Sequence, residues 1–585
     1  MIYHNSQEEY YRSPLGALET GSDITLRIKV PDKINNVYVY YWTESTGNVK
    51  VQMNLFEKLD GYGVYSAKIN VGMKPQLLWY NFSFEEEEFF YGNNEDGLGG
   101  EGKVYKEKPL SYQVTIYKKF SVPTWYKESV VYQIFPDRFN KSKNQDPFKA
   151  GKKNALIHLD WNDDPHYIRN EKGEVIYWDF FGGDLEGVME KIDYLQELGI
   201  NCIYFNPVFE ARSNHRYDTG DYHRIDPMLG TNEYFEKMTK ELAKKGIKVI
   251  LDGVFSHTGA DSIYFNKFGS YDSDGAYNSQ NSKYFNWYIF GKYPEKYESW
   301  WGITDLPNVD EMEPGYQDFI YNNPDGVIRY WLEKGASGWR LDVVDELPEQ
   351  FIKEIRKAAK ATKEEAVIIG EVWEDASNKV SYGRSREYLL GDELDGATNY
   401  PLREMLISYI NGEITAEKFH RKIMNIYENY PKESFYSTFN ILGSHDVERI
   451  GSLISKEKLK ACVYFQMAFP GVPVIYYGDE VGLKGHKDPD NRKTYPWGNQ
   501  DKDLLETYKE AIKIRKEHKV FVEGSFTSGF CNDNVYYFKR ENEEELAIIV
   551  LNNASEESEY KIDSYQGKIM AGEVTVLYKK KVLKS

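Results

Sequence analysis

The chain has 585 residues, too many for one ordinary hydrophobic core, so roughly two to four domains are expected. With 41% hydrophobic and 28% charged residues it falls outside the disordered and fibrous classes, and a formal charge of −19 excludes nucleic acid and anionic membrane as partners, because their phosphates would repel it. A neutral or small ligand fits better, and an aromatic content of 16%, with 49 Tyr and 12 Trp, suits the flat faces of sugars, although tyrosine fills β-sandwich cores equally well.

The first residues, MIYHNSQEEYYRSPLG, contain no basic stretch followed by an apolar run, so they do not read as a signal peptide. No segment approaches the roughly 18 continuous apolar residues of a membrane span. Three widely spaced cysteines, Cys202, Cys462 and Cys531, are an odd number and read as reduced packing residues. The expected compartment is therefore the cytoplasm.

Residues 1–120 read as an all-β domain. Ile24, Leu26, Ile28 and Val30 alternate with mostly polar neighbours, and Leu78, Tyr80, Phe82 and Phe84 do much the same. Tyr91–Gly102 is a glycine-rich loop that no helix tolerates. A β-sandwich follows from this pattern.

Over residues 121–515 the pattern changes to strand–helix alternation. Buried-strand runs are VVYQIF, NCIYFNP, IKVILD, GWRLD, AVIIGE, STFNIL and VPVIYY, with a weaker run near Leu394–Asn399. Amphipathic helical stretches such as LEGVMEKIDYLQELG and TNEYFEKMTKELAKKG lie between several of them. Runs that are apolar on both faces suit parallel strands, and eight βα units close into a (β/α)8 TIM barrel whose active residues belong at the C-terminal strand ends. Residues 256–316, after the third strand, form a long irregular insert read as an excursion domain over that face. Residues 516–585 return to strands and predict a C-terminal β-sandwich.

The strand ends carry the chemistry. In GWRLDVVDE, Arg340 and Asp342 are two apart and point the same way, so the guanidinium can hold the carboxylate ionised and oriented, as a nucleophile requires. A structural ion pair is the plain alternative. Glu371 leaves an apolar run beside Trp373, surroundings that suit a general acid, although a capping glutamate is the plainer reading of that residue alone. His445 with Asp446, and Asp252 with His257, end two further strands. Each is ordinary in isolation; their gathering at one end of four barrel strands is not. Retaining glycosidases need one carboxylate to attack the anomeric carbon and one acid to protonate the leaving oxygen, about 5–5.5 Å apart.

DGVFSH, GWRLDVVDE, EVW and GSHD, in this order, resemble the strand-end regions of the α-amylase superfamily of glycoside hydrolases, and Phe205–Pro207 and Gly471–Glu480 resemble its flanking markers. The resemblance implies Asp342 as nucleophile, Glu371 as acid/base and Asp446 as transition-state stabiliser. It implies that Arg340 orients the nucleophile, that His257, His445 and His215 contact the sugar, and that Tyr217 stacks beneath it, with Asp252, Glu346 and Trp373 also in the substrate cleft. The N-terminal sandwich, SNHRYDT and the acidic residue four places after Asp342 are most similar to neopullulanases, cyclomaltodextrinases and maltogenic amylases, or to amylopullulanases. That subgroup implies a retaining hydrolase of α-1,4 links in maltooligosaccharides, cyclodextrins or pullulan, a homodimer through the N-terminal domain, and no required cofactor. The rivals are an enzyme that also cuts α-1,6 links and a catalytically silent sugar-binding protein of the same fold.

The chain departs from the pattern at Asp345 and Glu374, where the subgroup often has Asn and His on the acceptor side. Ser256 stands where the familiar amylase calcium site has Asn. A structural calcium would have to gather Asn140, Asn144, Asp146, Gly182 and Asp184, a loop that reads equally well as a solvated turn.

Overall fold

The computed structural model describes residues 2–84, 88–144 and 146–581. At its centre eight parallel strands form one sheet: β1 (Val131–Ile134), β2 (Cys202–Phe205), β3 (Lys248–Gly253), β4 (Gly338–Leu341), β5 (Val367–Gly370), β6 (Gly396–Ala397), β7 (Phe439–Ile441) and β8 (Val472–Tyr476). They run in the spatial order β6-β5-β4-β3-β2-β1-β8-β7, and a parallel bridge between Thr398 and Phe439 joins the two ends into a ring. The run near Leu394–Asn399, the weakest in sequence, supplies the shortest strand.

Strand alternation divides the core. Val131, Cys202, Tyr204, Ile250, Val367, Ile369, Ile441 and Val474 fill the inside of the ring. Their neighbours Tyr132, Ile203, Val249, Leu251 and Ile368 face the helices outside. Cys202 is thus barrel filling, and Cys202, Cys462 and Cys531 are all unpaired. The stretch TNEYFEKMTKELAKKG forms the helix Asn232–Lys244, capped by the Thr231 hydroxyl on the Tyr234 N–H. LEGVMEKIDYLQELG, read as one helical stretch, is two helices, Leu185–Glu190 and Ile192–Leu198, because Lys191 leaves the helical region between them.

Four strands including Asp23–Pro31 and Tyr62–Asn70 face a second sheet of seven that includes Val37–Thr43, Gln76–Phe84 and Tyr112–Tyr117. Ile24, Leu26, Ile28 and Val30 pack there against Val37, Val39, Leu78, Tyr80, Phe82 and Phe84, the two alternations seen in sequence. This sandwich docks on the barrel helix Ala416–Asn429 through Arg12, which pairs with Glu428 with both side chains buried. The glycine-rich loop completes the contact: Asp96 pairs with Arg421 and Lys418. A Cβ on Gly99 would lie 2.5 Å from Glu428 Oε2, so only glycine admits this approach.

At the other end, Ser525–Phe530, Val535–Glu541, Glu545–Asn552 and Val574–Lys580 form a sheet. Its Tyr536, Phe538 and Ile549 join the main core around the barrel helices. Two further features shape the cleft. The insert after β3 is closed on itself by a bridge between His257, near its start, and Asn308, near its end, and has its own aromatic cluster of Phe265, Tyr288, Phe290 and Tyr297. Between β1 and the first barrel helix the chain builds a three-stranded module from Ala155–Ile157, Ile168–Arg169 and Val175–Phe180, which the sequence pattern did not disclose.

Candidate active site

The parallel register of β3 and β4 places Asp252 beside Arg340, one strand apart at the same height. Arg340 Nη1 donates to Asp252 Oδ1 at 2.9 Å and to Asp342 Oδ1 at 2.7 Å, while Nη2 pairs with Glu371 Oε1 at 2.9 Å. One guanidinium therefore serves three carboxylates from β3, β4 and β5, and all four side chains are buried. Glu371 is held from its other oxygen by the N–H of Val343 at 2.8 Å.

Val343 directly follows Asp342 and has φ 37° and ψ 55°. A β-branched residue in the left-handed region is strained by about 1–3 kcal/mol. Here the strain turns the backbone N–H toward Glu371.

The charge balance modifies the expectation from sequence. Arg340 was expected to hold Asp342 ionised. Instead burial raises the Asp342 carboxyl, Arg340 only partly draws it down, and Glu371 and Asp252 raise it again. Asp252 is likewise raised, chiefly by burial. One positive charge divided among three carboxylates cannot hold all of them ionised, so the cluster tends to retain a proton.

Asp446 follows β7 and faces the same mouth, with His445 Nε2 at 3.2 Å and Arg492 Nη2 at 3.9 Å. The surrounding protein and Glu371 raise its carboxyl. Because 27% of the side chain stays open to solvent, water screens part of that effect.

Around these groups runs a chain of hydrogen bonds. The Tyr217 hydroxyl donates to Asp252 Oδ2 at 2.8 Å and meets His445 Nε2 at 2.6 Å, with the two rings stacked 5.3 Å apart. Gln133 on β1 holds His445 Nδ1 at 3.0 Å, and Tyr204 on β2 donates to Asp252 Oδ2 at 2.6 Å. Neither Gln133 nor Tyr204 was singled out from sequence, although each occupies an inward position of an identified strand. Burial lowers His215 and His445 well below the usual imidazole range and His257 to about 4, so all three are neutral hydrogen-bonding groups. Ser256 holds His257 Nδ1 at 3.0 Å, and the buried Nε2 has no hydrogen-bond partner in the protein. His215 is fixed by the Tyr217 N–H at 3.0 Å and by the edge of Trp178 at 4.6 Å.

The outer rim collects the remaining expected residues. Trp373 is 45% exposed and stacks on Tyr400 at 3.9 Å. Glu346 accepts hydrogen bonds from Trp301 of the insert at 3.2 Å and from the Tyr382 hydroxyl at 2.6 Å. The two departures at Asp345 and Glu374 are joined: Lys379 pairs with Asp345 at 3.1 Å and also with Glu374. Every residue expected in the cleft thus lies at one end of the barrel, in a deep buried group and an outer aromatic one.

Four of the five calcium candidates make side-chain hydrogen bonds within the protein. Asp184 accepts from the Ser142 hydroxyl and the Gly187 N–H, the Asn140 amide nitrogen faces the Gly187 carbonyl, and the Asn144 amide nitrogen faces Glu186. Asp146 caps Phe148. A hard cation bound there would have to compete with the hydrogen bonds that Asp184 and Asp146 accept.

Residues 133–497 match the family described as alpha amylase, catalytic domain. An amylopullulanase from Thermoanaerobacter thermohydrosulfuricus is 38% identical over 92% of the chain, which spans 40% of that protein's length. A cyclomaltodextrinase from Thermoanaerobacter pseudethanolicus is 32% identical over 97% of the chain and 94% of its own length. Among solved structures, the cyclic α-maltosyl-(1→6)-maltose hydrolase of Arthrobacter globiformis superposes with a TM-score of 0.69 at 28% identity, covering 79% of this chain and all (100%) of its own.

Proposed function

Because the chain belongs to the α-amylase family of glycoside hydrolases, we propose that it hydrolyses α-1,4 links of short or cyclic α-glucans with net retention, using Asp342, Glu371 and Asp446. The observation that carries this reading is the single guanidinium of Arg340 gripping both Asp342 and Glu371. In the first step an Asp342 oxygen bonds to the anomeric carbon, the bond from that carbon to the leaving sugar oxygen breaks, and Glu371 gives that oxygen its proton. In the second, Glu371 takes a proton from water as the water oxygen attacks the same carbon and releases Asp342. Asp446 opposes the positive charge that develops on the ring. His215, His257, His445 and Tyr217 would hold sugar hydroxyls; the unpartnered Nε2 of His257 suits that task.

A silent sugar-binding protein of this fold is disfavoured by the presence of all three carboxylates. Cleavage of α-1,6 links as well is favoured by the 38% identity to a protein named amylopullulanase. We further propose that activity needs no calcium, because hydrogen bonds within the protein already engage the Asn140–Asp184 group, and that the native state is a homodimer. Among the described residues no helix is long and apolar enough to cross a membrane, and the three unpaired cysteines support the cytoplasm as compartment.

The test is anomer-resolved product analysis on a cyclodextrin and on pullulan. Release of the α-anomer first is expected; the β-anomer first, or no cleavage of either substrate by pure protein, would overturn the reading. The trisaccharides formed from pullulan identify the bond cut. Light scattering gives the mass, and prolonged chelation that abolished activity reversibly with calcium would refute the calcium statement.

A further inference from the structure

The module between β1 and the first barrel helix brings together side chains that the catalytic reading does not use. His158 follows Ala155–Ile157, Asp179 lies on the adjacent Val175–Phe180, and His166 comes from the intervening loop. One ligand atom from each lies within 4.8 Å of the other two.

The arrangement within this cluster is specific. His158 is only 8% exposed, and its ring stacks on Phe181 at 4.1 Å. Its Nδ1 bonds Asp163 Oδ2 at 2.9 Å, whereas Nε2 makes no hydrogen bond and faces Asp179 Oδ2 at 3.3 Å. Asp179 is itself fixed: Oδ1 accepts from Arg138 at 2.9 Å and from Asn214 at 2.8 Å, while Oδ2 accepts from the His166 backbone N–H at 2.9 Å and keeps its remaining lone pair toward His158. A histidine held at one ring nitrogen by a carboxylate, with the other nitrogen left without a hydrogen bond, has the orientation of a metal ligand. Tetrahedral Zn²⁺ with bonds of about 2.0–2.1 Å places neighbouring ligand atoms about 3.3–3.4 Å apart, which matches the separation of His158 Nε2 and Asp179 Oδ2.

We propose that His158, His166 and Asp179 form a binding site for a divalent transition ion of the zinc class, with Asp163 as the residue that orients His158. Water would complete the coordination on the solvent side, where His166 is exposed. The competing arrangement is a protonated His158 bridging Asp163 and Asp179 without metal. The two differ in consequence. An ion would tie the loop carrying His166 to the strand carrying Asp179, whose neighbour Trp178 packs on His215. It would therefore stiffen one wall of the cleft without entering it.

The probe is Co²⁺ added to the full chain after chelator treatment and gel filtration, followed by visible absorption, with Zn²⁺ calorimetry in parallel. One equivalent with a tetrahedral ligand-field spectrum and a higher melting temperature are expected. His166→Ala, at an exposed position, should abolish both, and Asp163→Asn should weaken binding by about 10–100-fold while preserving stoichiometry. No saturable binding, or binding unchanged in His166→Ala, would overturn the proposal, since the other histidines remain in that variant. Melting that depends on pH but not on metal would assign the cluster to the bridging imidazolium instead.

Discussion

Two buried arginines in this chain meet carboxylates in opposite ways. Arg12, between the sandwich and the barrel, pairs with the single carboxylate of Glu428, and its other terminal nitrogen donates to the Gly16 carbonyl at 2.9 Å. Arg340, at the barrel mouth, is shared by Asp252, Asp342 and Glu371. The first arrangement balances charge and closes an interface. The second is short of positive charge, costs stability, and persists only because the ring of strands holds the groups in place. Such a deficit is the mark of a site prepared to take up or release a proton.

The comparison is broken most severely at the mouth. Asp342→Asn and Glu371→Gln should each lower kcat by about 10³-fold or more while leaving the melting temperature nearly unchanged, because each removes charge from an over-supplied cluster. Steady-state kinetics beside calorimetry would decide it, and near-normal turnover in either variant defeats the assignment. At the balanced site the reverse is expected. Arg12→Met leaves Glu428 buried and unpaired, a loss of about 3–5 kcal/mol, while the folded fraction keeps its kcat. A second change, Glu428→Leu, should restore much of that stability, and its failure to do so would show that the pair is not what closes the interface.

A subtler variant separates strain from function. Val343→Gly removes the left-handed strain but adds chain entropy to the unfolded state, so a net gain of about 1 kcal/mol is expected. The freed backbone should hold Glu371 less firmly, and kcat should fall even as the melting temperature rises. Parallel loss of both would mean that Val343 is only packing.

An effect that appears only as the pH changes concerns Asp184, which burial raises to about 6. A raised carboxyl contributes stability that is full below its unfolded value near 4 and is lost as pH rises through about 6. Asp184→Asn should therefore match the native protein near pH 4 and become progressively more stable by comparison toward pH 7. A bound calcium ion would reverse the sign, because it would need the ionised form. Thermal melts across that range, with and without chelator, measure it.

The barrel was legible because seven of its strands lie in the apolar runs and the eighth in a weaker one, and the deep site because Asp252, Arg340, Asp342, Glu371 and Asp446 lie at their ends, where the period of two fixes direction. The sandwich was legible from two alternating strands that do face one another. What could not be read depends on partners distant in sequence. Lys379 reveals its role only when folding brings it between Asp345 and Glu374. The module carrying His158 looks like a polar loop because its strands are short and only Asp179 and Phe180 of Val175–Phe180 are buried. Val343 gives no sign of positive φ, since its residue type argues against it.

The ring itself carries one more consequence. Its seam is a strand of two residues, Gly396–Ala397, joined to the neighbouring strand by a backbone bridge between Thr398 and Phe439 and a side-chain hydrogen bond from Asn399 to Asn440. Glu371 stands on one side of that seam and Asp446 on the other. Thermal breathing should begin where the lacing is thinnest, and amide protons there should exchange with solvent sooner than those of the strands opposite. A gap opening along that line would part the two carboxylates while leaving the rest of the cylinder standing, so warming would pull the candidate site apart before it melts the protein.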